Sequence, residues 1–218
     1  MNLKIMPDIK LYSYFRSSAS FRVRIALNLK NLKYEYIPVG LLSGDQFSDD
    51  YKKINPSCQV PTLEYENFKI NQSVAIVEFL DSEFKTSGSA LIPGDNRKAA
   101  QVRMIAEIIN SGIQPIQNLS LLNKISDMGG DKMKWANEVI TRGFESLEAI
   151  LTTTSGTYCV GDEITMADIF LVPQVYNSHR FKVDLDSFPL IKDINQRLLQ
   201  NEAFIQALPE GQPDAISP

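Results

Sequence analysis

A short apolar run that leads into a serine-rich segment is the strongest constraint on how this chain folds. Residues 9–15 (IKLYSYF) have the composition of a β-strand. The serines that follow are typical of a helix start, because their hydroxyls accept hydrogen bonds from the first free N–H groups of a helix. Aliphatic residues then dominate from Val23 to Leu29, which predicts a largely buried helix. Ser17 and Ser18 stand at its positively polarised start, where an anion or a thiolate is stabilised.

Strand and helix patterns continue to alternate as far as about residue 85. We predict strands at 10–15, 34–39, 61–65 and 69–71, with a tight turn at Glu66-Asn67, helices at 17–30 and 73–84, and irregular structure or a short helix at 44–54. A βαβ order followed by ββα predicts a small α/β domain with a mixed sheet. Residues 85–96 (KTSGSALIPGDN) contain turn-forming residues without periodicity, and we place the domain boundary there.

Every periodic segment after this boundary is helical. The predicted helices are 97–122, bent or divided by Gly112 and Pro115, then 132–151, one that begins at Thr165 and one that Pro189 opens. Thr165 and Asp168 have the spacing of a capping box, so a buried Asp168 is expected to fix that helix start. We therefore predict an α/β domain of residues 8–88 and an all-helical domain of residues 97–212.

Composition excludes several classes of function. The 218 residues carry a net charge of −4 with both signs scattered, which does not favour a nucleic-acid-binding face. The apolar runs are too short to cross a bilayer, and the N-terminal residues do not resemble a secretory signal. Cys58 and Cys159 form no CxxC pair and no zinc spacing, and the one histidine, His179, lacks a metal-ligand pattern. We expect a cytoplasmic protein without a metal site, bound neither to a membrane nor to nucleic acid.

Three segments of the first domain could together form a binding site. The hydroxyls of Ser17 and Ser18 could stabilise a thiolate, although simple helix capping is the favoured explanation of this segment taken alone. A cis bond at Val60-Pro61 would turn the N–H and C=O of Val60 towards a peptide ligand, although proline is common at strand starts. Gln72 and Ser73 could hold a carboxylate at a helix start, or Ser73 could be an ordinary N-cap. Glutathione requires all three functions, so the combination favours glutathione as cofactor.

Motifs in both domains make the sequence similar to a known family. The segments that carry the similarity are LYSYFRSS (11–18), RVRIAL (22–27), QVPTL (59–63), GIQPIQNLS (112–120), YCVGDE (158–163), RFKVDL (180–185) and QPD (212–214). They resemble the zeta class of the glutathione transferase superfamily, and they span almost the whole chain. The resemblance implies a thioredoxin-like α/β domain followed by an all-α domain, and a homodimer.

The resemblance also implies which residues bind glutathione. Ser17 is expected nearest to its sulfur, Val60 at the cysteinyl backbone, Gln72 and Ser73 at the γ-glutamyl end and Gln46 near the glycyl end. The complete set of expected contacts is Ser17, Ser18, Ala19, Ser20, Phe21, Arg22, Gln46, Val60, Gln72, Ser73, Gln114, Asn118, Leu119 and Ser120. The last four come from the predicted bent helix of the second domain.

The activity that the resemblance implies is an isomerisation. Zeta-class members convert 4-maleylacetoacetate to 4-fumarylacetoacetate in phenylalanine and tyrosine catabolism, by reversible addition of the glutathione thiolate. The expected catalytic residues are Ser17, Ser18 and Arg22, since Arg22 lies one helical turn after Ser18. A dicarboxylate substrate needs cations, for which Arg16, Arg22 and Arg180 are candidates, although each could instead be an ordinary surface arginine.

Two other classes of function remain open at this point. The same thiolate could serve a general glutathione transferase that acts on small electrophiles such as α-halo acids, or the fold could serve a non-catalytic glutathione-binding protein. One residue departs from the class pattern, since Ala19 stands where the class usually has cysteine. Either a second thiol is dispensable for isomerisation, or the activity of this chain is reduced.

Overall fold

The computed structural model describes residues 8–215, which form two compact units. Residues 8–90 and 202–215 belong to the first unit, and residues 91–201 form the second. This division differs at one end from the predicted second domain of residues 97–212, because residues 202–212 pack with the first unit. Phe204 is fully buried there, and the side chains of Asn28 and Arg24 donate to the carbonyls of Ala203 and Ala207 at 2.9 and 3.0 Å.

A four-stranded mixed sheet is the centre of the first unit. Its strands are Ile9–Ser13 (β1), Glu35–Pro38 (β2), Thr62–Tyr65 (β3) and Phe68–Asn71 (β4), in the order β2-β1-β3-β4. β2 is parallel to β1, whereas β3 is antiparallel to both β1 and β4. The predicted βαβ and ββα order is therefore correct, and the tight turn at Glu66-Asn67 joins β3 to β4 as expected.

In the described residues, four α-helices belong to this unit: Ser18–Leu29 (α1), Asp49–Ile54 (α2), Ser73–Glu83 (α3) and the short helix Glu202–Ile205. α1 and α3 pack together, and both contribute buried aliphatic side chains to this unit, in which Leu11 and Leu63 of the sheet are fully buried. The C-terminal end of α1 is held by Lys30, whose buried ammonium group donates to Asp81 at 3.3 Å and to the Ser89 carbonyl at 3.1 Å. A buried charge with these partners is satisfied, so it fixes α1 against α3.

The second unit is entirely helical, as predicted. Its helices are Asn96–Glu107 (α4), Leu119–Asp127 (α5), Lys132–Thr154 (α6), Met166–Arg180 (α7) and Pro189–Leu198 (α8). The helix predicted for 97–122, with a bend or a division at Gly112 and Pro115, is divided, because a π-helical turn, Ile108–Ile113, and a 3₁₀ turn, Gln114–Gln117, separate α4 from α5. Pro115 cannot donate a helical hydrogen bond. The side chain of Ile113 also packs closely against Gly143. A Cβ at position 143 would lie only 2.3 Å from Ile113 Cδ1.

Side-chain caps fix the starts of α7 and α8. The buried carboxylate of Asp168 accepts from the Thr165 N–H at 2.8 Å, the Thr165 hydroxyl at 3.0 Å and the Cys159 N–H at 2.9 Å. This confirms the predicted capping box. Pro189 occupies the first turn of α8, where the Glu148 carboxylate accepts from the N–H groups of Leu190 and Ile191. This second cap could not be predicted from local sequence patterns, because Glu148 is 42 residues from Leu190 along the chain.

Within residues 8–215, none of the helices combines the length and the hydropathy needed to cross a membrane. The same residues contain no cluster of three or more His, Cys, Asp or Glu side chains that could hold a metal ion. Cys58 and Cys159 are both free thiols.

Candidate functional site

Strand register brings the three predicted segments of the first domain to one end of the sheet. Tyr12, near the end of β1, lies opposite Thr62 at the start of β3, and Thr62 lies opposite Asn71 at the end of β4. The segment that follows β1 leads to Ser17, Val60-Pro61 precedes β3, and Gln72-Ser73 follows β4. Antiparallel pairing therefore gathers around one edge a segment at Ser17 and two segments more than forty residues further along the chain.

Ser17 caps α1 and keeps a hydrogen that it can donate. Its Oγ accepts from the Ser20 N–H at 3.2 Å, which confirms the capping interpretation. A hydroxyl that accepts one bond can still donate its own hydrogen. In the described part of the chain, the N–H groups of Ser18 and Ala19 have no hydrogen-bond acceptor. The start of this 12-residue helix therefore presents a hydroxyl and free N–H groups together with the positive end of the helix dipole.

The segment before β3 is held by a residue that the sequence analysis missed. The peptide bond Val60-Pro61 is cis, and no residue among 8–215 accepts from the Val60 N–H. The buried Asn55 donates to the Gln59 carbonyl at 2.8 Å and to Thr62 Oγ1 at 3.1 Å. Asn55 thus holds the Gln59 backbone before Val60 and the Thr62 side chain after it. Its position before Pro56 was the available signal, since an Asn-Pro pair marks an ordered turn.

The start of α3 is conformationally strained and exposed. Gln72 is the N-cap residue, with φ of +71° and ψ of +117°, and its side chain makes no capping hydrogen bond. A non-glycine residue in this region of φ/ψ space stores energy, and such strain is concentrated at functional sites. Ser73 is the first helical residue and is buried, so it is not the N-cap that the simpler interpretation suggested.

A buried arginine joins the starts of α1 and α3. Arg22 is only 1% exposed, and its Nη1 donates to Ser73 Oγ at 3.0 Å. The alternative that Arg22 is an ordinary surface residue is therefore wrong. Since the two helix starts share this guanidinium, the sites of Ser17 and Gln72 are held in one rigid arrangement.

Two other predicted contacts of the first unit have side chains directed into its interior. Phe21 is buried and packs against the guanidinium of Arg24, whose Cζ lies 5.2 Å from the ring centroid. Ser20 is fully buried, and its Oγ has no hydrogen-bond partner in the described residues. Ala19, between Ser18 and Ser20, is half-buried. The exposed part of this first turn is therefore formed by Ser17 and Ala19, with backbone N–H groups beside them.

Gln46 and Arg16 complete the predicted residues of the first unit. Gln46 lies in the 3₁₀ turn Asp45–Phe47 after β2 and is buried, with Nε2 at 3.5 Å from the Leu41 carbonyl. Its Oε1 is buried and has no hydrogen-bond partner among residues 8–215. Arg16 is exposed immediately before Ser17. Arg16 therefore places a positive charge next in sequence to the start of α1.

The second unit holds the other predicted residues near its interrupted helix. Gln114 begins the 3₁₀ turn, Asn118 is the N-cap of α5 without a side-chain cap bond, and Leu119 and Ser120 are exposed. The indole N–H of Trp135 donates to the Ile116 carbonyl at 3.0 Å and holds this turn on α6. Arg180 is exposed at the end of α7, with its guanidinium 5.5 Å from the Phe181 ring centroid.

Gln117 in the same turn was not predicted as a site residue. It is buried, and its Oε1 has no hydrogen-bond partner in the described part of the chain. The GIQPIQN spacing contained a weak signal for it, because Gln117 follows Gln114 by one 3₁₀ turn. The π-helical turn just before these residues is the kind of helix irregularity that is frequent at functional sites.

Comparison with known proteins assigns the chain to a family. Residues 7–82 match the family model of the glutathione S-transferase N-terminal domain, and residues 123–206 match that of the C-terminal domain. The chain belongs to the glutathione S-transferase family. The mouse protein named maleylacetoacetate isomerase is 50% identical over 94% of both chains. A zeta-class glutathione S-transferase of Euphorbia esula is 44% identical over 97% of this chain and 95% of its own length.

Solved structures give the same assignment. A bacterial maleyl pyruvate isomerase of the zeta class superimposes with a TM-score of 0.91 at 38% identity, covering 95% of this chain and 100% of its own. Maleylacetoacetate isomerase from Anaeromyxobacter dehalogenans, with glutathione bound in its active site, has a TM-score of 0.87 at 39% identity, covering 97% and 99%. The predicted zeta class and the predicted thioredoxin-like and all-α fold are thereby confirmed, and glutathione is the cofactor of this enzyme class.

The strained conformation of Gln72 gives a prediction that separates stability from binding. Strain at such a residue is of the order of 1–3 kcal/mol, and glycine would relieve it. The extra entropy of glycine in the unfolded state offsets about 0.5–1 kcal/mol of this gain. The free energy of unfolding of Gln72→Gly is therefore expected to be about 1 kcal/mol higher than that of Gln72→Ala, which keeps the strain. Both variants lose the side-chain amide and should bind glutathione about five- to ten-fold more weakly. Urea unfolding and isothermal titration calorimetry measure the two effects, and equal stability of the two variants would contradict the strain argument.

Proposed function

We propose that this zeta-class enzyme catalyses the glutathione-dependent cis–trans isomerisation of 4-maleylacetoacetate to 4-fumarylacetoacetate, a step of phenylalanine and tyrosine catabolism. Relatives from mouse, rat and Dictyostelium discoideum with 47–50% identity carry the name maleylacetoacetate isomerase. The observation that carries the proposal is the set of unsatisfied donors around one end of the sheet. The start of α1, the Val60 N–H and the exposed Gln72 match the sulfur, the peptide backbone and the γ-glutamyl end of glutathione.

Glutathione, when bound, supplies a thiolate that adds reversibly to the conjugated double bond of the substrate and so permits rotation. The Ser17 hydroxyl donates to this sulfur, and the free N–H groups of Ser18 and Ala19 lower the free energy of its negative charge. Val60 pairs with the cysteinyl backbone in the manner of an added strand. The other proposed contacts are Ser20, Phe21, Arg22, Gln46, Gln72 and Ser73 in the first unit, and Gln114, Asn118, Leu119 and Ser120 in the second.

The chain itself supplies no thiol for this chemistry. Position 19 is alanine, so the first turn of α1 contains no cysteine. Cys159 belongs to the second unit and is fully buried, and desolvation raises the pKa of its thiol well above the ordinary value. Cys58 donates to the Pro56 carbonyl at 3.7 Å, within the turn that precedes Val60. We therefore propose that the glutathione thiolate is the sole nucleophile and that a second thiol is dispensable.

Arginines are proposed to bind the substrate carboxylates, but their roles differ. Arg16 is exposed beside Ser17, and Arg180 is exposed in the second unit, so each can meet a ligand without rearrangement of the core. Arg22 was expected to contact the substrate as well. Because its guanidinium is buried and bonded to Ser73, we propose that Arg22 acts by holding the start of α3. Direct contact with substrate would require this buried charge to give up its hydrogen bond with Ser73.

A general transferase is the second candidate function. The same thiolate would attack small α-halo acids, and relatives of Euphorbia esula and Arabidopsis thaliana are named as zeta-class glutathione S-transferases. A purified sample distinguishes the two by direct comparison of rates. We predict a glutathione-dependent loss of maleylacetone absorbance that exceeds the rate of conjugation of a chlorinated aromatic and of dehalogenation of a small α-halo acid. Conjugation or dehalogenation without isomerisation would reverse this ranking.

Replacement of Ser17 tests its proposed role at the sulfur. Ser17→Ala is expected to lower kcat by 10² to 10³, because a preorganised donor to the developing charge is lost. It should also lower the free energy of unfolding by about 1 kcal/mol through loss of the N-cap. Ser48→Ala is the matched control, since Ser48 caps α2 with the same 3.2 Å bond that Ser17 makes in α1. The control should lose similar stability and keep its activity, and unchanged kcat in Ser17→Ala would remove Ser17 from the reaction.

We propose a homodimer in the cytoplasm. The first unit exposes the large apolar side chains of Leu42, Phe47 and Phe68, of which Leu42 is 70% exposed. Exposed apolar groups of this size favour burial in a protein interface. Two free thiols fit a reducing compartment. Sedimentation velocity at micromolar concentration should give about twice the monomer mass of 24.5 kDa, and a monomer would refute the proposal. Microscopy of a fluorescently tagged full chain tests the location.

A further inference from the structure

The residues after α8 return to the first unit and lie against α1. We call residues 202–215 the C-terminal strap. Phe204 and Ala207 of the strap are fully buried, and Asn28 of α1 donates to the Ala203 carbonyl at 2.9 Å. The side chain of Gln212 ties the strap to itself by donating to the carbonyls of Gln206 and Leu208 at 3.0 and 2.8 Å. The strap is therefore an ordered part of the first unit.

Asp214, near the end of the strap, has a side-chain carboxylate that reaches the segment between β1 and α1. Asp214 Oδ2 accepts from the N–H of Phe15 at 3.0 Å, and its Oδ1 accepts from the Tyr36 hydroxyl at 2.5 Å. Burial and the neighbouring Asp214 raise the pKa of Tyr36, so its hydroxyl remains a donor through the neutral range. Tyr36 in β2 thus orients the carboxylate, and the carboxylate holds the backbone of Phe15, which is 199 residues away in sequence.

Arg24 holds the other polar group of the same residue. Its Nη2 donates to the Phe15 carbonyl at 3.1 Å, its Nη1 to Ser13 Oγ at 3.3 Å and its Nε to the Ala207 carbonyl of the strap at 3.0 Å. The guanidinium is fully buried, and this burial lowers the pKa of Arg24 against the opposing influence of Tyr36, Tyr34 and Asp214. Both the N–H and the C=O of Phe15 are therefore fixed by charged side chains.

Phe15 is two residues before Ser17, and Arg16 stands between them. We propose that Asp214 and Arg24 are positioning residues, which clamp the Phe15 backbone and thereby fix the Ser17 hydroxyl and the Arg16 side chain for the reaction. This inference rests on the proposed role of Ser17 at the glutathione sulfur. Hydrogen bonds to charged groups are about twice as strong as neutral ones, so the clamp restricts the segment more than ordinary turn contacts would. A misplacement of about 1 Å at a reacting group lowers the rate by about 10².

The test compares variants of the full chain that loosen the strap in different places. Asp214→Ala removes the contact with Phe15, and Asp214→Asn keeps one acceptor oxygen. Tyr36→Phe removes the hydroxyl that orients the carboxylate and that also bonds Ser13. Asn28→Ala is the matched control, because it removes a bond between α1 and the strap without touching Phe15. For each variant we would measure unfolding in urea, kcat and KM for maleylacetone, and the pKa of enzyme-bound glutathione from the ultraviolet absorbance of its thiolate.

The expected result is a specific loss of catalysis. Asp214→Ala should lower kcat ten- to hundred-fold, raise the pKa of the bound thiol and change KM for maleylacetone by less than three-fold. Asp214→Asn should recover most of kcat, and Tyr36→Phe should show a smaller loss of the same kind. Asn28→Ala should lose stability and keep both kcat and the thiol pKa. If Asp214→Ala does not fold, Tyr36→Phe alone decides between these results.

Two results would overturn the inference. One is that the Asp214 and Tyr36 variants keep kcat within two-fold of the unmodified chain and also keep the thiol pKa of the unmodified chain within experimental error. The other is an equal loss of kcat in Asn28→Ala, which would make the strap a source of stability only. The thiol pKa separates this inference from the proposed isomerase function. A chain that ionises bound glutathione without isomerising maleylacetone refutes the proposed reaction and still permits the test of the clamp.

Discussion

The pairing of β3 with both β1 and β4 is the constraint on which the candidate site depends. Because β3 is antiparallel to both neighbours, its start adjoins the ends of the other two strands. The end of β1 leads into the capped start of α1, and the end of β4 leads into α3. Two helix starts and one strand start therefore share an edge, so free N–H groups of one unit accumulate at the edge where we propose that glutathione binds.

Buried arginines then convert this topology into a rigid site. Arg22 and Arg24 are 1% and 0% exposed, although both lie in a helix that carries free N–H groups at its start. Their hydrogen bonds reach the start of α3, the end of β1 and the Phe15 carbonyl. Each of these bonds offsets part of the cost of burying the charge and also fixes a piece of the candidate site.

The local pattern of the sequence predicted most elements of the fold but not the contacts between distant ones. Strand and helix positions in the first unit, the mixed sheet and the Thr165–Asp168 cap were all readable, because period, turn residues and caps act within a few residues. The division of the helix after residue 107 was only partly predictable. Pro115 signals an interruption, whereas the packing of Ile113 at Gly143 depends on a helix 30 residues further along.

The same distinction explains which features of the site escaped prediction. Ser17, Val60 and Gln72 were recognisable because a helix start or a proline marks each of them. The burial of Arg22 and the hub formed by Asn55 were not, since each needs partners from another strand or helix. The QPD motif at 212–214 shows this limit of local patterns, because the motif indicates a family similarity but predicts no contact for its side chains. The carboxylate of Asp214 becomes a hydrogen-bond acceptor for the Phe15 N–H only when folding brings the two residues together, and no local pattern connects positions so far apart.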